Sequence, residues 1–102
     1  MNQLSDNNFR ERIADTTEGI VIFYKELCPH CKNMEKVLEK FSAAHPHVAL
    51  HAVNLEKNPE SASMAGAERA PTILVIHDGE IRASRAGLMN FREMNAFYTE
   101  NI

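Results

Sequence analysis

The sequence predicts an α/β domain with a central mixed β-sheet flanked by helices on both faces, and three observations predict it. Segments with strand period and segments with helix period alternate along the whole chain. One of the strands, Ile20-Val21-Ile22-Phe23-Tyr24, is apolar on both faces, as a strand covered from both sides must be. Asp78-Gly79 lies between two strand segments and is a two-residue hairpin signal, which turns the second of them antiparallel. The chain has 102 residues, 44% of them apolar, with four glycines and four prolines and no repeat or linker, which predicts one domain over residues 1–102.

The elements follow in order. Ser5 or Asp6 is placed to cap a short first helix, whose Phe9 and Ile13 share a face at i and i+4. Gly19 precedes the buried strand Ile20 to Tyr24. From Pro29 the period becomes helical: Met34, Val37, Leu38 and Phe41 form one face, and Lys32, Glu35, Lys36, Glu39 and Lys40 the other. Pro46 separates this helix from a strand over Val48 to Leu55. Asn58 caps a short helix that has Pro59 at its first position and Gly66 at its end. Thr72 to His77 is the next strand, and Glu80 to Ser84 returns beside it. Asn90-Phe91-Arg92-Glu93 has capping-box spacing and opens a last helix whose Phe91, Met94 and Phe97 or Tyr98 face inward.

Charge and composition exclude several functions. Eleven Lys plus Arg against fourteen Asp plus Glu give a net charge of -3, which argues against nucleic acid, whose binding rests on a basic surface. Two cysteines cannot form a disulfide-dense scaffold. The longest apolar runs, Ile20 to Tyr24 and Ile73 to Ile76, fall far short of the ~18 residues that span a bilayer. Met1 to Asp6 lacks a basic start followed by an apolar stretch, so the expectation is a cytoplasmic monomer that meets neither membrane nor nucleic acid.

The chemistry lies in Cys28-Pro29-His30-Cys31, where the buried strand ends and the amphipathic helix begins. At a helix N-terminus the unpaired amides and the positive end of the macrodipole favour a thiolate, and such motifs lower a cysteine pKa from about 8.5 to roughly 3.5–7.5. Cys28, nearer the helix tip, is expected to attack, and Cys31, one turn deeper, to resolve the mixed disulfide. Pro29 suits the first turn because it needs no N–H partner there, and a protonated His30 would stabilise the Cys28 thiolate. The competing reading is structural zinc, since Cys28, Cys31, His47 and His51 have Cys2His2 spacing on paper. His47 and His51 bracket a strand segment, however, and four residues of strand span about 13 Å, too far for one ion with bonds near ~2 Å.

Ile20 to Tyr24, the CxxC, Asn54 to Pro59, Ala70-Pro71-Thr72, His77 to Glu80 and Gly87 fall in the order and spacing of a thioredoxin, over nearly the whole chain. The chain resembles the thioredoxin superfamily, and within it the atypical bacterial kind with CPHC called desulfothioredoxin. The resemblance implies the thioredoxin fold and thiol-disulfide oxidoreductase activity on protein disulfides, with no cofactor or metal beyond the redox-active cysteines. It also implies a cis peptide before Pro71, with the backbone of Ala70 pairing with substrate and Leu27 beside it in the docking surface. A flavin-dependent thioredoxin reductase is the implied electron donor. Departures from the family are Leu27 where Trp is usual, and Ile22 and Ala52 where a buried carboxylate and lysine stand. That loss leaves Glu26, His30, water or His51 to take the proton of Cys31, and with His30 it predicts a less reducing couple than that of a CGPC thioredoxin. CPHC also occurs in the periplasmic oxidase DsbA, so an oxidase or isomerase is the alternative. The length leaves no room for the helical insertion of that group.

Overall fold

In a computed structural model all residues from 1 to 102 are described, and the apolar run of the first predicted strand lies at the centre of a five-stranded sheet. The elements are β1 (Asn2–Leu4), α1 (Phe9–Ala14), β2 (Glu18–Tyr24), α2 (Pro29–Ala44), β3 (Ala49–Asn54), α3 (Pro59–Ala65), β4 (Thr72–His77), β5 (Glu80–Ala86) and α4 (Phe91–Thr99). The strand order is β1-β3-β2-β4-β5, with β1 and β3 parallel to β2 and the β4–β5 hairpin antiparallel. The sheet is therefore mixed, as expected. No helix is long and apolar enough to cross a membrane.

Alternation along β2 divides the core in two, because successive side chains point to opposite faces. Ile20 and Ile22 meet Met34, Leu38 and Phe41 of α2 and Met94 and Tyr98 of α4. Val21 and Phe23 meet Phe9 and Ile13 of α1 and Ala62 of α3, together with Leu74 and Ile76. Ile20 to Phe23 are fully buried, which accounts for a strand without a polar face.

Four local expectations are corrected. β1 is an additional strand: Asn2 and Gln3 are exposed and only Leu4 is buried, so its register on His51 to Val53 of β3 defines it rather than any apolar pattern. Neither Ser5 nor Asp6 caps α1, whose N-cap is Asn8. Asp6 instead reaches α3, accepting hydrogen bonds from the Glu60 and Ser61 amides and the Ser61 hydroxyl. Asn58 holds the N-cap position of α3 without capping it through its side chain, and instead accepts the Asp6 amide. Phe91 does not face inward: it is 39% exposed, whereas Met94 and Tyr98 are buried.

Other local readings hold. Gly66 closes α3 with φ +67°, and Asn90 and Glu93 form a reciprocal capping box. Gly79 is required in the hairpin, since its φ is +79° and a Cβ would lie 2.7 Å from the Ala14 carbonyl oxygen. β5 runs two residues beyond the expected Ser84, to Ala86.

Candidate active site

One end of the sheet gathers the functional segments. Phe23 of β2 pairs with Thr72, the first residue of β4, and Thr72 pairs with Ala86, the last of β5. The chain that leaves β2, the chain that enters β4 and the chain that leaves β5 thus meet at the same edge. The Gly87 amide donates to the Pro71 carbonyl at 2.8 Å and ties two of these loops together. The Met89 amide reaches the Met34 sulfur of α2 at 3.4 Å, which brings the loop after β5 against the helix that carries the cysteines.

Cys28 is the N-cap of α2, in extended backbone conformation, and Pro29 takes the first helical position. The Cys31 amide donates to the Cys28 sulfur at 3.3 Å, and the Lys32 amide to the Cys28 carbonyl at 3.2 Å. An amide aimed at sulfur from the positive end of a 16-residue helix favours negative charge on that atom. Cys28 and Cys31 are joined in a disulfide with their Cα atoms 5.2 Å apart, so exchange needs little backbone movement. Burial separates the two sulfurs: Cys28 is half-buried, and Cys31 is only 2% exposed. His30 projects from the first turn into solvent.

Neither Ile22 nor Ala52, on the sheet face that α2 covers, has an ionisable side chain. Ile22 and Ala52 are direct cross-strand partners, and both lie in the apolar cluster shared with Met34 and Met89. His51 is on the opposite face, since its partner is Val21, whose side chain belongs to the other cluster. Its ring is held there: Nε2 donates to the Thr16 hydroxyl at 2.9 Å, which donates to the Arg12 carbonyl, and Nδ1 accepts from Asn2 at 3.3 Å. Burial, and next the Arg12 charge, push the His51 pKa below the usual histidine value. Glu26 is exposed and pairs with Lys57 at 3.4 Å.

The predicted docking residues come together only in part. Ala70 and Pro71 form the expected cis peptide; Pro71 is buried and Ala70 half-buried. Leu27 is 97% exposed, with φ +54°. A cleft of about 370 Å³ is lined by Leu27, Cys28, Pro29 and Lys32, without Ala70 or Pro71. Lys32 was visible in sequence only as one of the charged residues on the outer face of α2. Its spacing of four from Cys28 is the signal that places both on one helical face. Leu88, an exposed apolar residue between the anchored Gly87 and Met89, had no such signal. His47 pairs with Glu18 at 3.2 Å and His51 is committed to Thr16 and Asn2, so the zinc arrangement is not favoured.

Comparison with known proteins agrees with this geometry. The sequence model of the thioredoxin family matches residues 1–100. A thioredoxin of Buchnera aphidicola is 28% identical over 102 residues, covering 98% of this chain and 94% of that protein. A thioredoxin of Chlamydia trachomatis is 32% identical over 87 residues, 83% of this chain and 82% of its own length. Among solved structures, the reduced desulfothioredoxin of Desulfovibrio vulgaris Hildenborough superposes with a TM-score of 0.81 at 40% identity, over 97% of this chain and 96% of that one. The mixed sheet with helices on both faces is the thioredoxin fold.

Proposed function

The chain belongs to the thioredoxin family and is a thiol-disulfide oxidoreductase, and we propose that it reduces protein disulfides with Cys28 as nucleophile and Cys31 as resolving thiol. The observation that carries this reading is the difference in burial within one helical turn, with Cys28 half-buried at the helix tip and Cys31 2% exposed beneath it. The Cys28 thiolate attacks one sulfur of the substrate disulfide. The substrate's other sulfur leaves as a thiolate and takes a proton. Cys31 then loses its proton and attacks the Cys28 sulfur, which expels the second substrate thiol and closes the disulfide within the protein. Two electrons pass from the dithiol to the substrate, and no cofactor takes part.

The supporting residues have separate tasks in this proposal. Pro29 fixes the first turn of α2, and His30, when protonated, adds positive charge at the helix tip that Cys28 caps. Ala70 lends its backbone to an extended substrate segment beside Pro71, and Leu27 supplies apolar contact. The Cys31 proton leaves through solvent or the His30 side, because Ile22 and Ala52 are apolar and His51 faces the other way. Apolar surroundings also raise the pKa of a thiol. A Cys28 thiolate favoured by the helix N-terminus, and by His30 when that ring is protonated, stabilises the reduced form, so the couple is less reducing than the about -270 mV of an ordinary thioredoxin. The partners are proteins with accessible disulfides and a flavin-dependent reductase. We place the protein in the cytoplasm as a monomer of one domain, residues 1–102.

Cys28→Ser abolishes reduction of a protein disulfide such as that of insulin, and Cys31→Ser accumulates a mixed disulfide visible by mass spectrometry. Turnover by the Cys28 variant would overturn the roles. Equilibration with glutathione buffers tests the couple, and a potential at or below that of a CGPC thioredoxin would overturn that part alone.

A further inference from the structure

Four residues line the cleft that holds the attacking Cys28, and two of the others, Leu27 and Pro29, have no charge to offer a ligand. The fourth is Lys32. Its amide donates a hydrogen bond to the Cys28 carbonyl, so its side chain leaves α2 on the same face as Cys28, one turn on. The nearest acid in sequence on the other side of the cysteine, Glu26, is already paired with Lys57. Arg82 and Arg85 likewise have partners, Glu80 and Glu93. Lys32 is in no ion pair, not even with Glu35 one turn on, and the first turn of α2 contains no acidic residue.

Leu27 adds a second constraint on what fills the cleft. A leucine with φ +54° is in the left-handed region, where the Cβ of an L residue crowds the backbone. Being 97% exposed, it gains nothing by burial in the free protein to offset this. A strained apolar residue held in solvent beside a nucleophile fits a surface that is covered when substrate is present.

We propose that Lys32 is a specificity-determining residue, which makes the exchange site prefer disulfide-bearing segments with a carboxylate next to the attacked cysteine. The proposal rests on the reading of Cys28 as nucleophile. The occupant is an extended segment of a substrate protein, whose apolar atoms cover Leu27 and Pro29 and whose Asp or Glu meets the Lys32 ammonium. The electron balance of the exchange is unchanged, because Lys32 acts on the approach and seating of the segment. Charge complementarity selects this occupant over a basic one, since Lys32 is the one charged lining side chain besides the Cys28 thiolate, whose charge is consumed when it joins the substrate in the mixed disulfide.

The test compares three synthetic disulfide peptides that differ only in having Glu, Gln or Lys beside the cysteine, with the full-length reduced protein in single-turnover reactions. The readout is the ratio of rate constants between peptides for each variant. This ratio cancels any effect of the substitution on Cys28 itself. The wild type favours the Glu peptide over the Gln peptide by up to about fivefold at low salt, the scale of an exposed ion pair, and the preference shrinks at high salt. Lys32→Gln brings the ratio to about one, Lys32→Arg keeps it, and Lys32→Glu reverses it in favour of the Lys peptide. Equal rates in the wild type, or an unchanged ratio in Lys32→Gln, overturn the proposal. Absence of reaction with all three peptides would overturn the nucleophile reading and this inference with it, so the two failures are distinguishable.

Discussion

His51 illustrates how a single side chain takes its role from surroundings that its sequence position does not disclose. In sequence it is a polar residue within a strand and one half of a metal-like His pair. In the folded protein it is 5% exposed, and its two nitrogens join β1 to the segment after α1 through Asn2 and Thr16. The network suits only the neutral ring, because Nδ1 must accept while Nε2 donates. A proton on Nδ1 would meet the Asn2 donor and add a cation near Arg12. Burial first, and the Arg12 charge second, hold its folded pKa below the 6.5 of an unfolded chain. The unfolded chain therefore binds more protons in this range. The stabilisation is complete above pH 6.5 and is lost as pH falls through the folded pKa. We expect His51→Gln to flatten the dependence of stability on pH between pH 7 and pH 5, as measured by urea denaturation. An unchanged slope would show that another group is responsible. Asp6 works with the opposite charge at a different site: burial pushes its pKa up, but hydrogen bonds from Ser61 and Glu60 outweigh this and hold it below 3.8.

At the scale of elements, α4 closes the sheet face that carries the redox helix. Its capping box was readable from the order of Asn90 and Glu93, because such a cap is local. Which of its aromatic residues turn inward was only partly readable. Tyr98 packs against Phe41 with ring centroids 5.2 Å apart, while Phe91, at the start of the helix, stays exposed. The Tyr98 hydroxyl is buried without a hydrogen-bond partner. Such a group costs about 1–3 kcal/mol of desolvation that nothing offsets. Tyr98→Phe is accordingly expected to raise stability by about 1 kcal/mol, seen as a higher denaturant midpoint at unchanged slope. A lower midpoint would mean that the hydroxyl is hydrogen-bonded in solution. Burial, and then the Glu18 charge, also raise the Tyr98 pKa above 10. The stabilisation from keeping this phenol protonated is present below pH 10 and is lost as pH rises through the folded value, so the variant should lack that alkaline loss.

At the scale of the whole molecule, the two apolar clusters lie on opposite faces of one sheet and share β2 and β4. Leu38 belongs to one cluster and Leu74 to the other, and both are fully buried. Either substitution to Ala should cost about 2–5 kcal/mol. Each variant should unfold in one transition, coincident by circular dichroism and fluorescence, because neither face keeps its sheet when the other is lost. Separate transitions would show that the faces unfold independently. The same sheet gathers the redox site, by ending β2, starting β4 and ending β5 at one edge. Periodicity, the hairpin Asp78-Gly79 and the CxxC were sufficient by themselves for fold class, for the order of the elements from α1 to α4 and for the position of the cysteines at a helix tip, because each depends on residues close together in the chain. Tertiary structure alone decided that Asn2 to Leu4 form a strand, that Asp6 caps α3, that His51 faces away from Cys31 and that Lys32 shares a cleft with Leu27. These outcomes depend on partners distant in sequence, or on where a side chain finds itself once the chain is packed, and no local pattern of residues encodes either.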